Sequence, residues 1–331
     1  MKIVTSLYGD KYVSLLLVFM ESIYQNTNFE EHEIFVFWSD VNKKLLEPLK
    51  KSYHTVTFFE LESVKKIDNS STGNYFSSLK SGKMSYLNKV YDFLEEDETF
   101  LLIDCDTIIL KDIASVFEKD FDVAYTPLPI DVSGFPVNIG VMFFKNNEAT
   151  RRVTRNMQEH ISAIIDNKAL HDESFTRYGA ADQAAFCRII DYKSDGKIGT
   201  ALKVPKLKTL ELDWFKYNNF SSIQSFDNVS ILHLKGSWQV ILFRGRALQS
   251  IKNKGDKAKS VYLYYLNLFS DAINRVYSEK EIKDLRSEFG VKIPFFVHFQ
   301  SNKLVINNWK YRLYKFPERF YRYFFNRKLV M

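Results

Sequence analysis

Two carboxylates, Asp104 and Asp106, stand one residue apart in Phe100-Leu101-Leu102-Ile103-Asp104-Cys105-Asp106-Thr107-Ile108-Ile109-Leu110, between two apolar runs. Side chains alternate along an extended chain, so both point to one side. Like charges this close repel unless a proton or cation neutralises them. A solvated Mg²⁺ or Mn²⁺ that also grips a diphosphate meets that need. If the strand Phe100 to Ile103 ends at Asp104, the pair sits at the carboxyl edge of an α/β sheet, where such sheets bind ligands. The competing reading is a solvated turn, because Asp-x-Asp is a common tripeptide; the apolar flanks favour the metal.

Three further polar constellations follow, each beside a short apolar run: Asn138-Ile139-Gly140-Val141-Met142-Phe143-Phe144, Ala180-Ala181-Asp182-Gln183-Ala184-Ala185-Phe186, and Ile231-Leu232-His233-Leu234-Lys235-Gly236-Ser237-Trp238. In this order the chain resembles the nucleotide-sugar glycosyltransferases of the GT-A fold. The resemblance is strongest to the retaining family of glycogenin and the bacterial lipopolysaccharide galactosyltransferases (family 8), and covers roughly residues 1 to 240. That family shows a DxD after a strand, an N-x-G strand, an acidic-Gln pair and a late His-x-x-Gly element. The departure is at the end: the family usually has Lys-Pro-Trp after the glycine, whereas here Gly236-Ser237-Trp238 follows Lys235.

The resemblance implies a role for each residue. Asp104, Asp106 and His233 would bind Mn²⁺ or Mg²⁺, and Cys105 would line the donor site between the two aspartates. Thr5, Ser6, Tyr8 and Asp10 would hold the donor base and ribose, with Tyr8 stacking. Lys83, Lys235 and Gly236 would face the diphosphate, Asn138 would bond a sugar hydroxyl, and Gly140 would permit close approach. Asp182 and Gln183 are the catalytic candidates beside the anomeric carbon. Plainer readings stand alongside: Asp10 or Asp182 as a helix cap, Gly140 as a strand bulge, Lys83 as solvated surface, His233 as a hydrogen-bonded structural residue.

Strand and helix patterns alternate. Ile3 to Thr5 reads as a first strand, then a polar turn Ser6 to Asp10 and a helix from about Lys11 to Gln25. Glu33 to Trp38 and Thr55 to Leu61 read as strands. Lys83 to Leu94 reads as a helix with Leu87, Val90, Tyr91 and Leu94 on one side, and Thr99 to Ile103 as the central strand. This predicts a three-layer α/β domain, Rossmann-like, with a mostly parallel sheet that becomes mixed near Val123 to Tyr125 and Val137 to Phe144. Val229 to Leu232 reads as the strand before His233. Asp68 to Asn74 and Pro127 to Pro136 read as loops able to frame a donor, and Asp166 to Tyr178 as a further loop.

Composition bounds the alternatives. The chain has 331 residues, 46% hydrophobic and 26% charged, enough for one large core and inconsistent with general disorder. Its two cysteines, Cys105 and Cys187, lie in apolar runs and read as reduced thiols, without zinc spacing. Met1 to Tyr8 runs straight into a strand pattern, and Tyr12 to Met20 is too short for a signal segment, so secretion is not expected. No apolar run reaches the ~18 residues of a membrane span.

Residues 246–331 form a predicted helical, basic and aromatic region after a catalytic domain at 1–245. From Ser301 onward there are eight Lys or Arg against one acid, Glu318, more than the whole net charge of +6. Trp309, Leu313, Phe316, Phe320 and Phe324 would line one helical stripe, as on a helix lying against an anionic membrane. Packing on the catalytic domain and single-strand nucleic-acid binding are the rival readings, the latter not expected.

The expectation is a metal-dependent hexosyltransferase, cytoplasmic and peripheral on the inner face of the membrane. It would move a sugar from a nucleoside diphosphate, UDP-sugar favoured, to a glycan or glycolipid hydroxyl in surface polysaccharide or lipopolysaccharide synthesis. Retention is what the resemblance implies. The alternatives are an inverting enzyme with Asp131 or Asp182 as base, and a carbohydrate- or nucleic-acid-binding protein without turnover.

Overall fold

The computed structural model describes residues 1–61, 86–129, 135–190, 204–219, 227–234, 264–265, 267–282, 297–300 and 303–306. A seven-stranded sheet runs in the order β3-β2-β1-β4-β7-β6-β8. Its strands are β1 (Lys2–Tyr8), β2 (Glu33–Ser39), β3 (Val56–Glu60), β4 (Thr99–Ile103), β6 (Val123–Pro127), β7 (Val137–Lys145) and β8 (Thr209–Glu211). The pairs β1–β2, β2–β3 and β1–β4 are parallel, while β7 is antiparallel to both β4 and β6. The predicted mixed α/β sheet is present, with its parallel half first.

The strand order reverses between β1 and β4. The crevice outside their carboxyl ends is a topological switch point, the place where open α/β sheets take ligands. Asp104 follows the last residue of β4 directly.

Two apolar cores cover the two faces, as the alternation along β4 requires. Leu101 and Ile103 join the first core, and Phe100 and Leu102 the second. Helix α1 (Val13–Asn26) lies in the first core and α2 (Lys43–Ser52) contributes Leu45, Leu46 and Leu49 to it. On the other face lie α3 (Glu148–Asp166), α4 (Lys168–Tyr178) and α5 (Ala181–Ile189). Asn147 starts α3 with a reciprocal cap: its Oδ1 accepts from Thr150 N at 3.0 Å, and Thr150 Oγ1 accepts from Asn147 N at 3.2 Å.

Helix α1 is buried from Val13 to Ile23 without a wet face. The cause lies far along the chain: Leu268, Phe269, Ala272, Ile273, Val276 and Tyr277 join the same core, so the helical segment 267–276 belongs to it. An apolar sequence all round a helix is what two covered faces demand. Glu21 on α1 is fully buried and accepts from Arg275 Nε at 2.9 Å and Nη2 at 3.1 Å. Part of the region set apart at 246–331 therefore shares the core of the first 245 residues.

Several local expectations change. β1 extends to Tyr8, so Ser6 to Tyr8 are strand residues paired with Phe37 to Ser39, and only Gly9 onward turns. Asp166 to Tyr178, expected as a loop, is mostly helix α4, which Asn167 caps by accepting from Leu170 N at 3.2 Å. The helix expected to Leu94 ends earlier, in a 3-10 turn Tyr91–Phe93. The C-terminal region is not wholly helical, because Val297–Gln300 and Lys303–Ile306 pair as an antiparallel hairpin. Lys83, Asp131, Lys235, Gly236, the Asp68–Asn74 loop and the aromatic stripe from Trp309 lie outside the described residues.

Candidate active site and metal centre

Backbone hydrogen bonds build the site from both sides. Asp104 N donates to Gly140 O at 2.9 Å across the β4–β7 edge, and Thr107 Oγ1 donates to Asp104 O at 2.8 Å, closing the turn that carries Cys105 and Asp106. The next strand, β5 (Thr107–Ile109), pairs antiparallel with β9 (Ile231–His233), with Thr107 opposite His233. Leu234 N donates to Asp106 O at 2.7 Å. A separation of 127 residues in sequence, from 106 to 233, is thus closed by a two-stranded ladder.

His233 Nε2 lies 3.1 Å from Asp106 Oδ1 and 3.8 Å from Asp104 Oδ2. One ligand atom from each of the three residues falls within 4.8 Å of the others. The His233 and Asp106 side chains are 3% and 11% exposed and that of Asp104 is 33% exposed, so the cluster opens to solvent on the Asp104 side. At an effective dielectric of ~20, two carboxylates about 5 Å apart repel by roughly 3 kcal/mol. Two hard oxygen donors and one imidazole suit a divalent ion such as Mn²⁺ or Mg²⁺.

Gly140 is required by this packing. A Cβ there would stand 2.3 Å from His233 Cε1, 2.7 Å from Asp104 Oδ2 and 2.8 Å from Asn138 Oδ1. The close approach that the glycine permits is that of the candidate ligands themselves. Asn138 is 2% exposed; its Oδ1 accepts from Gly140 N at 2.8 Å and from Asn218 Nδ2 at 3.2 Å. The register of β6 against β7 shifts between Tyr125 and Thr126, which sets Thr126 opposite Asn138.

The catalytic candidates sit at the start of α5. Asp182 is in its first turn, where its Oδ1 accepts from Gln183 N at 2.9 Å, while Ala180 occupies the cap position. Gln183 Nε2 donates to Tyr178 O, and both residues are 5% exposed. Gly179 turns the chain between α4 and α5 at φ +71°, and a Cβ there would meet the Phe135 ring at 2.8 Å. Phe135, near the end of the Pro127–Pro136 segment, therefore packs against the Gly179 turn that precedes α5. Tyr86 is fully buried. Burial pushes its hydroxyl far above the usual tyrosine range, and the charges of Asp104 and Asp182 add to that rise.

The other donor-site expectations divide. Cys105 is buried between the two aspartates and, like Cys187, is in no disulfide; burial pushes the Cys187 thiol up to about 12. Thr5 is fully buried within β1 and exposes no atom, whereas Ser6 and Tyr8 are half-buried near the strand's carboxyl end. Asp10 Oδ1 accepts from Asn42 N at 2.7 Å, tying the turn after β1 to the start of α2. Asn218 and Thr126 escaped the sequence reading. His233 Nδ1 lies 2.9 Å from Asn218 Oδ1, and Asn218 Nδ2 lies 2.8 Å from Thr126 Oγ1. The only signal was the polar pair Asn218-Asn219 after Asp213, which caps the turn Trp214–Tyr217 by accepting from Phe215 N.

Similar solved structures include the glycosyltransferase GlyE of Streptococcus pneumoniae TIGR4, at 14% identity and TM-score 0.45, over 71% of this chain and 55% of that one. Galactosyltransferase LgtC with donor and acceptor sugar analogs aligns at 11% identity and TM-score 0.46, over 71% and 87%. Mouse xyloside xylosyltransferase 1 aligns at 9% identity and TM-score 0.40, over 70% and 97%. This chain thus spans about half the length of GlyE. No curated protein matches its sequence. The family model of nucleotide-diphospho-sugar transferases matches residues 42–235, more than half of the chain and the stretch that carries Asp104, Asp106, Asn138, Gly140, Asp182, Gln183 and His233. The chain belongs to the nucleotide-diphospho-sugar transferase family.

Proposed function

We propose that this chain is a metal-dependent hexosyltransferase that takes a sugar from a nucleoside diphosphate, UDP-hexose first among candidates, and places it on a hydroxyl of a glycan or glycolipid. The observation that carries the reading is the convergence of Asp104, Asp106 and His233 at the switch point between β1 and β4, in a chain of this family.

Asp104, Asp106 and His233 would hold Mn²⁺ or Mg²⁺, which the two carboxylates suit. The chemistry a divalent ion supplies there is Lewis-acid stabilisation of charge on the departing diphosphate. The remaining work falls to side chains. Ser6 and Tyr8, close to the end of β1, stand where the donor base and ribose would enter. Gln183, tethered through its amide nitrogen, would offer Oε1 to the positive charge growing on the sugar, with Asp182 adding its field. The sugar–diphosphate bond breaks, the acceptor oxygen bonds the anomeric carbon, and the acceptor proton leaves with the nucleoside diphosphate. Lys83, Lys235 and Gly236 belong to the proposal as diphosphate contacts, on the strength of their sequence positions.

Retention of configuration and a place in bacterial-type surface polysaccharide or lipopolysaccharide synthesis extend the same reading. So does peripheral contact with an anionic membrane, which rests on the eight basic residues after Ser301. No helix among the described residues is long and apolar enough to cross a membrane.

The test is a thermal-shift panel of UDP-, GDP- and CMP-sugars with and without Mn²⁺. A metal-dependent stabilisation confined to one nucleotide supports the reading and names the donor. No stabilisation by any of them contradicts it. Salt-sensitive binding to anionic vesicles tests the membrane part separately.

A further inference from the structure

We infer that Asn218 is the positioning residue of the candidate metal centre: it holds His233 as the Nδ1–H tautomer, so that the Nε2 lone pair faces Asp104 and Asp106. The inference rests on the metal reading above and concerns a residue outside the ligand set.

The assignment starts at a backbone group whose polarity is fixed. Gly140 N–H donates to Asn138 Oδ1 at 2.8 Å, which settles which end of the Asn138 amide faces inward. Asn218 Nδ2 lies 2.8 Å from Thr126 Oγ1, 3.1 Å from Asn138 O and 3.2 Å from Asn138 Oδ1. A flipped Asn218 amide would set its oxygen against two oxygens that carry no proton, so the nitrogen must point there. Asn218 Oδ1 then faces His233 Nδ1 at 2.9 Å and can only accept. The proton is on Nδ1.

The ring's other nitrogen takes its character from this. With Nε2–H, the 3.1 Å contact to Asp106 Oδ1 would be an ordinary hydrogen bond, and the site would be a closed pair. With Nδ1–H, an unshared pair and two carboxylates converge on one point, the arrangement of a ligand set. The backbone secures the register. His233 N donates to Asn219 O at 2.8 Å, Asn219 N donates to Ile231 O at 3.1 Å, and Asn218 has no exposed surface. A leucine could fill the same volume; what it could not do is accept from Nδ1.

The experiment uses the full chain and Mn²⁺ alone, with free Mn²⁺ followed by electron paramagnetic resonance in wild type, Asn218→Leu and Asp104→Ala/Asp106→Ala. We expect Asn218→Leu to weaken Mn²⁺ binding about 10- to 100-fold, the usual cost of losing such a partner. Nitrogen-15 spectra of metal-free wild type, at a pH where the ring is neutral, should show the His233 proton on Nδ1. This readout needs no variant to fold and no metal to bind. A proton on Nε2, or Asn218→Leu binding Mn²⁺ within about twofold of wild type, would overturn the inference. Equal Mn²⁺ uptake by wild type and the double aspartate variant would contradict the metal reading itself, and the tautomer spectrum would still decide the role of Asn218.

Discussion

Glu21 and the Asp104–Asp106 pair are two answers to one problem, a carboxylate inside a protein. Glu21 is fully buried and saturated by the chain: Arg275 grips both oxygens, Tyr53 hydroxyl donates at 3.1 Å and Gln25 Nε2 donates at 2.9 Å. Asp104 and Asp106 instead meet each other and the imidazole of His233, with Asp104 left partly open. In the first place a charge is closed off to hold α1 against the segment 267–276. In the second, donors are collected around a point. The difference separates a carboxylate closed off by its own chain from a pair left open to a ligand, although both are acidic residues beside apolar runs.

The comparison is broken most directly by removing each site. Asp104→Ala/Asp106→Ala should lower metal-dependent release of sugar from the donor by a factor of about 10³ or more, with the melting temperature unchanged or raised because like charges are gone. Arg275→Ala should do the reverse. Leaving Glu21 buried without its cation costs about 3 kcal/mol, the low end for such pairs because the Arg275 side chain is 34% exposed, and turnover below the melting range should stay near wild type. Chemical denaturation and donor turnover on the same samples read both. Replacing Glu21 and Arg275 together by methionine should recover much of that loss, which would sharpen the contrast with the aspartates.

Gly140→Ala is expected to act on both quantities. Its methyl would press on His233 and Asp104, so Mn²⁺ affinity should fall at least tenfold while stability drops by about 1–3 kcal/mol, as for other over-packed sites. The smallest effect lies far from the chemistry. On α3, His160 accepts from Arg188, and burial together with that guanidinium lowers its pKa to about 4, against 6.5 for an exposed imidazole. The folded value is the depressed one, so the unfolded chain binds the extra proton. Stability should be flat above pH ~6.5 and fall as the pH drops toward ~4. His160→Gln should remove that part of the acid sensitivity in denaturation curves recorded across the window.

The Asp104–Asp106–His233 cluster was legible as a candidate because its parts carry local marks. Asp104 ends an uninterrupted apolar strand, and His233 ends another. The parallel half of the sheet was legible for the same reason, since β1, β2 and β4 read as short apolar runs separated by helical patterns. The rest depends on contacts between distant residues. Arg275 lies 254 residues from Glu21, and nothing in either neighbourhood announces the pair. Asn218 matters only because β6 carries a bulge and β9 runs beside residue 219, which no periodicity encodes. Asp166 to Tyr178 was misread because its charged residues hide a helix whose start depends on one asparagine, Asn167. At Asp10, residue type suggested a ligand contact, and the structure shows a tether to Asn42.

The account stands on sugar transfer depending on a divalent ion held by Asp104, Asp106 and His233. The most direct measurement is sugar released from whichever donor the thermal-shift panel selects, using the chain stripped of metal and then titrated with Mn²⁺, beside the same titration of Asp104→Ala/Asp106→Ala. The account predicts no release without metal, saturable recovery in wild type and no recovery in the variant. Release that persists after stripping, or that Mn²⁺ restores equally in both proteins, would contradict it.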